Sequence, residues 1–460
     1  MTGDTLRERR MSETVHEASR EVPVLHEVDV VVIGGSCTGV FAAVRAARLG
    51  MRVAIIEKQN CFGGTATAGN VNIWHRLHDT EGREQIIAGL TAEVIARLSR
   101  RDAVLRGKEP SRNSYRLNTE ELKIELDELV TESGVQPLLH TVYVAPVGED
   151  RRLNAVIVEN KSGRGAIRAR QFVDASGDGD LARHLGLPFS REEGLQPPTT
   201  CARLRGLEEL GGFDWQAAVR EHGAEFGLPP DWGWGGPFPG MPGVQLRADN
   251  HIFDTDASDA AQLTRAEIDG RRQVRALMDA IRKYAPQGSS IALSDLAATL
   301  GIRETARVRA RYRLSGEDVL SGRRFEDAVA NGSYPVDTHH SDGPGITWRF
   351  LDGTEVTVAG RGLPEEQGRW REELPENPTF YQVPFRCLTP GQVPNLVLAG
   401  RMLDADREAF SAVRVMVNLN QTGEAAGVAA ALAVEGGGDV ADVEAAKLRA
   451  TLERGGSIVL

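Results

Sequence analysis

A β-branched run, Val28-Asp-Val-Val-Val-Ile33, leads into Gly34-Gly35-Ser36-Cys37-Thr38-Gly39. An alanine-rich stretch from Val40 to Leu49 follows, then a second apolar run from Arg52 to Ile56 that stops at the acid Glu57. Strand, glycine turn, helix, strand and terminal acid in that order restrict the chain to a parallel βαβ unit with the dinucleotide-binding layout. Gly34 allows the tight turn out of the first strand, position 36 must let the backbone approach a pyrophosphate, and Gly39 lets the helix pack closely on the sheet. The helix aims its unpaired N–H groups and the positive end of its dipole at the phosphate. Glu57 is placed to accept hydrogen bonds from an adenosine ribose, and an acid there disfavours a 2′-phosphate. Ser36 stands where the strict G-x-G-x-x-G pattern has its second glycine, and a side chain this small is read as tolerated.

A chain of 460 residues is too long for one small core and points to two or three domains. Sixty-five acids against 54 bases give a net charge of −11, which argues against nucleic-acid binding, since that needs a basic face. The sequence has no apolar run of the roughly 18 residues that a membrane span needs. Residues 1 to 27 begin polar and mixed in charge and are expected to be a disordered tail. Cys37, Cys61, Cys201 and Cys387 form no C-x-x-C pair and no metal-ligand spacing, so free thiols, no metal and a cytoplasmic location are expected.

After Glu57 comes Lys58, then the loop Gly63-Gly64-Thr65-Ala66-Thr67, a cradle of backbone N–H groups and hydroxyls that suits a flat, extended cofactor. Residues Asn118 to Ser133 read as an amphipathic helix capped by Asn118 and closed by Gly134. Strand patterns at 135–144, 154–158 and 166–172 form a meander that returns to Asp174-Ala175-Ser176-Gly177-Asp178-Gly179-Asp180. From about 196 to 375 prolines and glycines mark loops around a helix predicted over 263–284 with the capping box Thr264-Arg-Ala-Glu267, and a strand is predicted over 306–314. The nucleotide fold resumes at Asn395 to Arg401 and ends in an alanine-rich helix over 425–434, with Gly423 at its expected N-terminus. An N-terminus free of bulk can stand beside a ring system and stabilise negative charge on it.

Together these residues resemble the FAD-dependent oxidoreductases of the glutathione-reductase-like, two-dinucleotide-binding-domain superfamily. The resemblance rests on Val31 to Ser36, Glu57-Lys58, Gly63 to Thr67, Asp174 to Asp180, Arg303-Glu304-Thr305, Tyr334-Pro-Val-Asp337 and Asn395 to Ala430. It implies an α/β fold: a discontinuous Rossmann-like FAD-binding domain, with a parallel sheet plus β-meander, over 28–195 and 376–460. An inserted α+β substrate or cap domain takes 196–375. By the same resemblance Gly34, Gly35, Ser36, Thr38 and Gly39 hold the pyrophosphate and Glu57 the ribose. Lys58, Gly63, Gly64, Thr65 and Thr67 line the cofactor, Val142 in the meander faces the adenine, and Ala175, Ser176, Gly177 and Asp178 close the adenosine side. Gly400, Arg401 and Gly423 approach the ribityl chain and the isoalloxazine. Many superfamily members end the late strand in Gly-Asp where this chain has Gly400-Arg401. Either Asp404 or Asp406 takes the ribityl contact, or an arginine replaces it.

Flavin supplies the redox chemistry and the protein supplies orientation and a proton acceptor. Candidate bases are His75 and His78 after the glycine-threonine loop and His339 and His340 in the cap, because imidazole titrates near neutral pH. Arg401 and Arg414 are candidates to hold a substrate carboxylate, or else to pair with Asp406 or Glu408. No second glycine fingerprint follows a strand, so a dedicated NAD(P)H domain is not expected. The leading expectation is a dehydrogenase or oxidase that moves a hydride from a small polar metabolite to the flavin, with electrons passing on to oxygen, a quinone or a carrier protein. A flavin monooxygenase that visits NAD(P)H transiently and an electron-relay subunit of a complex fit the same residues, and a homo-oligomer is compatible with all three.

Overall fold

A computed structural model describes residues 14–107, 114–229, 231, 233–286, 291–360 and 362–460. The first strand, β1 (Val24–Glu27), precedes the fingerprint and runs parallel to a strand of the meander. The tail expected over 1–27 therefore ends no later than residue 23, and its first thirteen residues lie outside the described ones.

The fingerprint folds as β2 (Val30–Ile33), α1 (Cys37–Arg48) and β3 (Val53–Ile56). Next come α2 (Thr119–Glu132), β4 (Gln136–Leu138), β5 (Val142–Glu149), β6 (Arg152–Asn160), β7 (Gly163–Arg168) and β8 (Gln171–Asp174). The cap contributes β9 (Ala202–Arg205), β10 (Trp234–Pro237), β11 (Val244–Ala248), α3 (Ala260–Tyr284), β12 (Ala292–Leu296), β13 (Val336–His339), β14 (Ile346–Arg349), β15 (Thr354–Val358) and β16 (Glu365–Arg369). The chain closes through β17 (Leu396–Leu398), α4 (Arg407–Val413) and α5 (Met416–Gly436).

Five strands make a parallel sheet in the order β17-β8-β2-β3-β4. β2, β3 and β17 are apolar runs rather than alternations because both of their faces are covered. Val30 and Val32 turn to the face packed by α1 and α5, while Val31 and Ile33 turn to the face covered by Val156, Val158 and Ile167 of the meander. Each such buried side chain contributes about 1.5–3 kcal/mol relative to exposure. The N-terminal half and the last hundred residues thus share one sheet, and the cap is the insertion between them.

Asn118 caps α2 as its sequence predicts, accepting from the N–H groups of Glu120 and Glu121 at 3.0 and 3.3 Å. Helix α3 begins earlier than its sequence suggests. Asp259 accepts from Gln262 N–H at 2.9 Å and is the true cap, while the Thr264 hydroxyl donates back to Ala260 inside the helix. Of the strand predicted over 306–314 only Arg307–Val308 forms a strand, and Leu314 makes an isolated bridge to Ala405. The cap holds an antiparallel sheet β10-β11-β9-β12 and an antiparallel meander β13-β14-β15-β16.

Helix α5 also starts earlier than expected, at Met416 rather than after Gly423. Gly423 lies inside it, where an added Cβ would sit 2.1 Å from the Thr38 carbonyl oxygen, and Gly427 one turn on would meet the Ala42 carbonyl at the same distance. The two glycines let α5 and α1 touch backbone to backbone. Below that crossing Glu424 pairs with Arg45 in a buried cluster that also takes the Leu90 N–H at 3.1 Å. Among the described residues no helix is long and apolar enough to cross a membrane, and all four cysteines are free and buried.

Candidate functional site

A cavity of about 470 Å³ opens where the β2 turn, the 63–65 loop, the 175–178 turn and the cap converge. Gly34 turns the chain at φ +99°, and a Cβ there would lie 2.4 Å from the Ala175 carbonyl, so only glycine permits the β2 and β8 turns to meet. Ser36 has φ −59°, which any residue adopts. This explains why serine replaces glycine here, and its Oγ caps α1 by accepting from Gly39 N–H at 3.3 Å. The N–H groups of Cys37 and Thr38 at the same helix end remain at the cavity wall. Glu57 accepts Gly35 N–H at 2.7 Å on one oxygen and Gln59 N–H at 2.8 Å on the other, which fixes the carboxylate at the cavity edge with lone pairs left for a diol.

Arg401 crosses the cavity wall to pair with Asp178, which also accepts the Thr305 hydroxyl at 2.9 Å. A side chain at Gly177 would collide with this guanidinium at 2.6 Å. The Arg401 Nε is buried with no partner among the described residues. Asp404 instead accepts Ala310 N–H at 2.9 Å, and Asp406 caps α4 through Ala409 N–H at 2.8 Å. Neither lines the cavity, whereas Arg401 does. The N-terminus of α5 does face the cavity, through Val415, Met416 and Leu419, with no side-chain cap on its first N–H groups. The cradle therefore fits an extended dinucleotide with a ring system that bears negative charge when reduced: the required glycines, the ribose acid, the lining arginine and an open helix terminus are all present.

Opposite this cradle stands a buried chain of polar groups from the cap. Asp231 accepts from the His251 backbone N–H and lies 2.6 Å from His251 Nδ1. His251 Nε2 lies 2.8 Å from His339 Nδ1 on β13, and His339 Nε2 is 3.6 Å from Asp337 Oδ1. The carboxylate of Asp231 accepts a hydrogen bond from His251 Nδ1–H, so His251 Nε2 must accept from His339 Nδ1–H, and the lone pair of His339 is assigned to Nε2. Asp337 receives the Tyr334 hydroxyl at 2.8 Å and Arg414 Nη2 at 3.1 Å on Oδ2, while its buried Oδ1 has no donor.

Burial, together with the nearby Arg303 cation, pushes the His339 imidazole well below its ordinary 6.5, so it is neutral at pH 7. Burial opposes ionisation of Asp337, but the Arg414 cation and the Tyr334 hydrogen bond outweigh it and hold the carboxyl well below the usual range. His75 lies against Tyr334 with ring centroids 4.3 Å apart and the planes tilted by 41°, and burial lowers it to about 4. Arg303 lines the same wall, donating to Pro197 O at 2.7 Å and Thr199 Oγ1 at 2.5 Å.

The structure thus brings Gly34, Ser36, Thr38, Glu57, Lys58, Gly63, Gly64, Thr65, Ala175, Ser176, Gly177, Asp178, Gly400 and Arg401 to one cavity with His75, His339 and Arg414. Five expected cofactor residues lie outside its lining. Gly35 packs against Phe62 and Glu57, Gly39 lies under the Gly34 carbonyl, and Gly423 is a helix-crossing residue. Thr67 is buried and donates to Phe62 O at 2.6 Å, closing the loop rather than facing outward. Val142 opens the edge strand of the meander and is 50% exposed. His78 and His340 are also outside the lining. Sequence reading missed His251, Asp231, Asp337, Tyr334 and Arg303 as site residues. Three of them lie in the Arg303 and Tyr334-to-Asp337 segments that carried the resemblance, whereas nothing in the sequence pairs Asp231 with His251.

Fold and site together define a flavin-dinucleotide protein with a polar cap pocket. The chain belongs to the FAD dependent oxidoreductase family, whose model matches residues 29–452, and the protein is an FAD-dependent oxidoreductase enzyme. A dihydrolipoyl dehydrogenase of Manduca sexta is 40% identical over 67 residues, and that match spans 14% of this chain and 14% of the relative's length. Among solved structures, a geranylgeranyl bacteriochlorophyll reductase-like protein of Thermoplasma acidophilum is 13% identical, covering 93% of this chain and 84% of that one with a TM-score of 0.46. An anhydrotetracycline hydroxylase of Streptomyces rimosus is also 13% identical, with 92% and 66% covered and a TM-score of 0.43.

Proposed function

We propose that this enzyme is a dehydrogenase or oxidase that takes a hydride from a small polar metabolite bearing a C–OH or C–NH group, with His339 as the base. The observation that carries the reading is the Asp231–His251–His339 chain, which ends at a neutral imidazole among the residues that line the cavity of the FAD cradle. When bound, the flavin supplies the hydride acceptor. His339 takes the hydroxyl or amine proton at Nε2, which lies 3.6 Å from the Asp337 carboxylate oxygen Oδ1. The imidazolium so formed is stabilised by a carboxylate that Arg414 and Tyr334 hold in place. Burial of His339, at 4% exposure, keeps bulk water from protonating it first. The same burial lowers its basicity, and the facing Asp337 carboxylate works against that loss.

The test is rapid anaerobic mixing of the holoenzyme with a panel of small hydroxy and amino metabolites, following the visible flavin band. Removing a positioned base costs about 10²–10⁴ in rate. For the metabolite that bleaches the wild type, His339→Asn should slow bleaching by that factor while FAD content is unchanged. Bleaching at the wild-type rate in His339→Asn would refute the assignment of the base.

A further inference from the structure

Three arginines reach the cavity wall, and they differ in what they touch. Arg401 pairs with Asp178, and Arg414 pairs with Asp337. Arg303 donates only to neutral acceptors, the Pro197 carbonyl and the Thr199 hydroxyl, and no carboxylate of the described residues pairs with it. Two acids lie near enough to act on it through space, but both are engaged elsewhere. Asp231 is bonded to His251, and Asp337 is bonded to Tyr334 and Arg414. Lys58, the remaining cation of the lining, is exposed, so water screens it.

A partly buried guanidinium with no carboxylate bonded to it is costly, and a ligand anion would complete the pair. Its surroundings lower Arg303 to about 10, burial first and Arg414 second, so the electrostatic demand for an anion is strong. Thr199 and Pro197 fix one edge of the fork through Nη1, and the arginine lies with His339 and Asp337 among the cap residues of the lining. Ile302, Ile346 and Trp348 line the same cavity and supply apolar wall for a small organic body.

We propose that Arg303 is the anchor for a carboxylate on the molecule oxidised in this cavity. The inference rests on the reading of the site given above and adds the substrate class: a small monocarboxylic acid with the oxidisable C–OH or C–NH within reach of His339. Arg414 and Arg401 are each bonded to their own acid, which leaves Arg303 as the guanidinium of the lining with no carboxylate bonded to it among the described residues.

The experiment is an equilibrium titration of the oxidised holoenzyme with acetate, pyruvate, acetamide and inorganic phosphate, read by perturbation of the flavin absorbance. It requires no turnover, so a wrong base assignment does not affect it. Acetate and pyruvate should bind, and acetamide, of the same shape but without charge, at least about tenfold more weakly, the scale of one charge-assisted hydrogen-bonded pair. Arg303→Gln should weaken acetate by about tenfold or more, and Arg303→Lys, which keeps the charge, should recover part of that loss. Equal binding of acetamide and acetate would overturn the proposal, and this arm stands on the unmodified protein even if a variant fails to fold. Binding of phosphate in preference to acetate would overturn the carboxylate class. Arg303→Gln with unchanged acetate affinity and a lowered flavin midpoint potential would assign the guanidinium to the flavin instead and would also overturn it.

Discussion

Replacing Gly423 by alanine tests whether this residue serves the helix crossing or the cofactor. Its added Cβ would stand 2.1 Å from the Thr38 carbonyl oxygen and 2.9 Å from the carbonyl carbon. Non-bonded heavy atoms settle at about 3.5 Å or more, so α5 and α1 must part by roughly an ångström. Forcing extra volume into a packed contact costs about 1–3 kcal/mol, and the backbone on the other side cannot rotate away. Alanine returns about 1 kcal/mol in helix propensity. The balance is a net loss of up to about 2 kcal/mol. Because Thr38 belongs to the cavity lining, the displacement also weakens FAD, by about tenfold if half the strain reaches the turn. Gly436, at the end of the same helix with no atom within 4 Å of an added Cβ, is the control. Gly436→Ala should be neutral or stabilising. Denaturant unfolding of the apoproteins and flavin-fluorescence titration of FAD measure both terms. An apoprotein of wild-type stability in Gly423→Ala, with FAD affinity alone reduced, would refute the packing role and restore direct cofactor contact.

Glu57→Gln keeps the shape but removes the charge that accepts Gly35 and Gln59 N–H, and should weaken FAD by about tenfold in the same fluorescence titration. His251→Phe leaves His339 Nδ1–H without its acceptor in a buried site. It should lower stability by about 1–3 kcal/mol and slow flavin bleaching by about 10²-fold, with substrate affinity little changed. Unfolded histidine takes its proton near 6.5, folded His75 only near 4, so between these values the unfolded chain binds the extra proton and stability falls as pH falls. The difference between wild-type and His75→Gln stability profiles, which cancels all other groups, should therefore vanish above pH 6.5 and grow as pH drops toward 4. A difference that grows instead with rising pH would contradict the neutral assignment of His75.

The βαβ unit was legible because each of its demands is local: a turn that needs glycine at φ +99°, a run buried on two faces, an acid at a strand tip. The Gly423 reading went astray because an alanine-rich, uncharged stretch gives no start signal. Helix α5 extends to Met416 through polar residues whose side chains, Asn418 and Gln421 among them, are buried by tertiary contacts. Val142 failed for a different reason. A strand pattern fixes alternation but not which edge of a meander meets a cavity. The relay was out of reach of sequence reasoning, since Asp231, His251 and His339 come from separate cap segments and only their juxtaposition gives any one of them a role.

The most direct test of the central claim is anaerobic absorbance of the holoenzyme during titration with small carboxylated hydroxy and amino metabolites, and separately with NADH and NADPH, because the flavin reports its own reduction. The structure leads us to expect a flavin band bleached by a metabolite and untouched by either nicotinamide. Bleaching by NADH or NADPH, with no metabolite effective, would contradict the dehydrogenase reading and make the protein a monooxygenase.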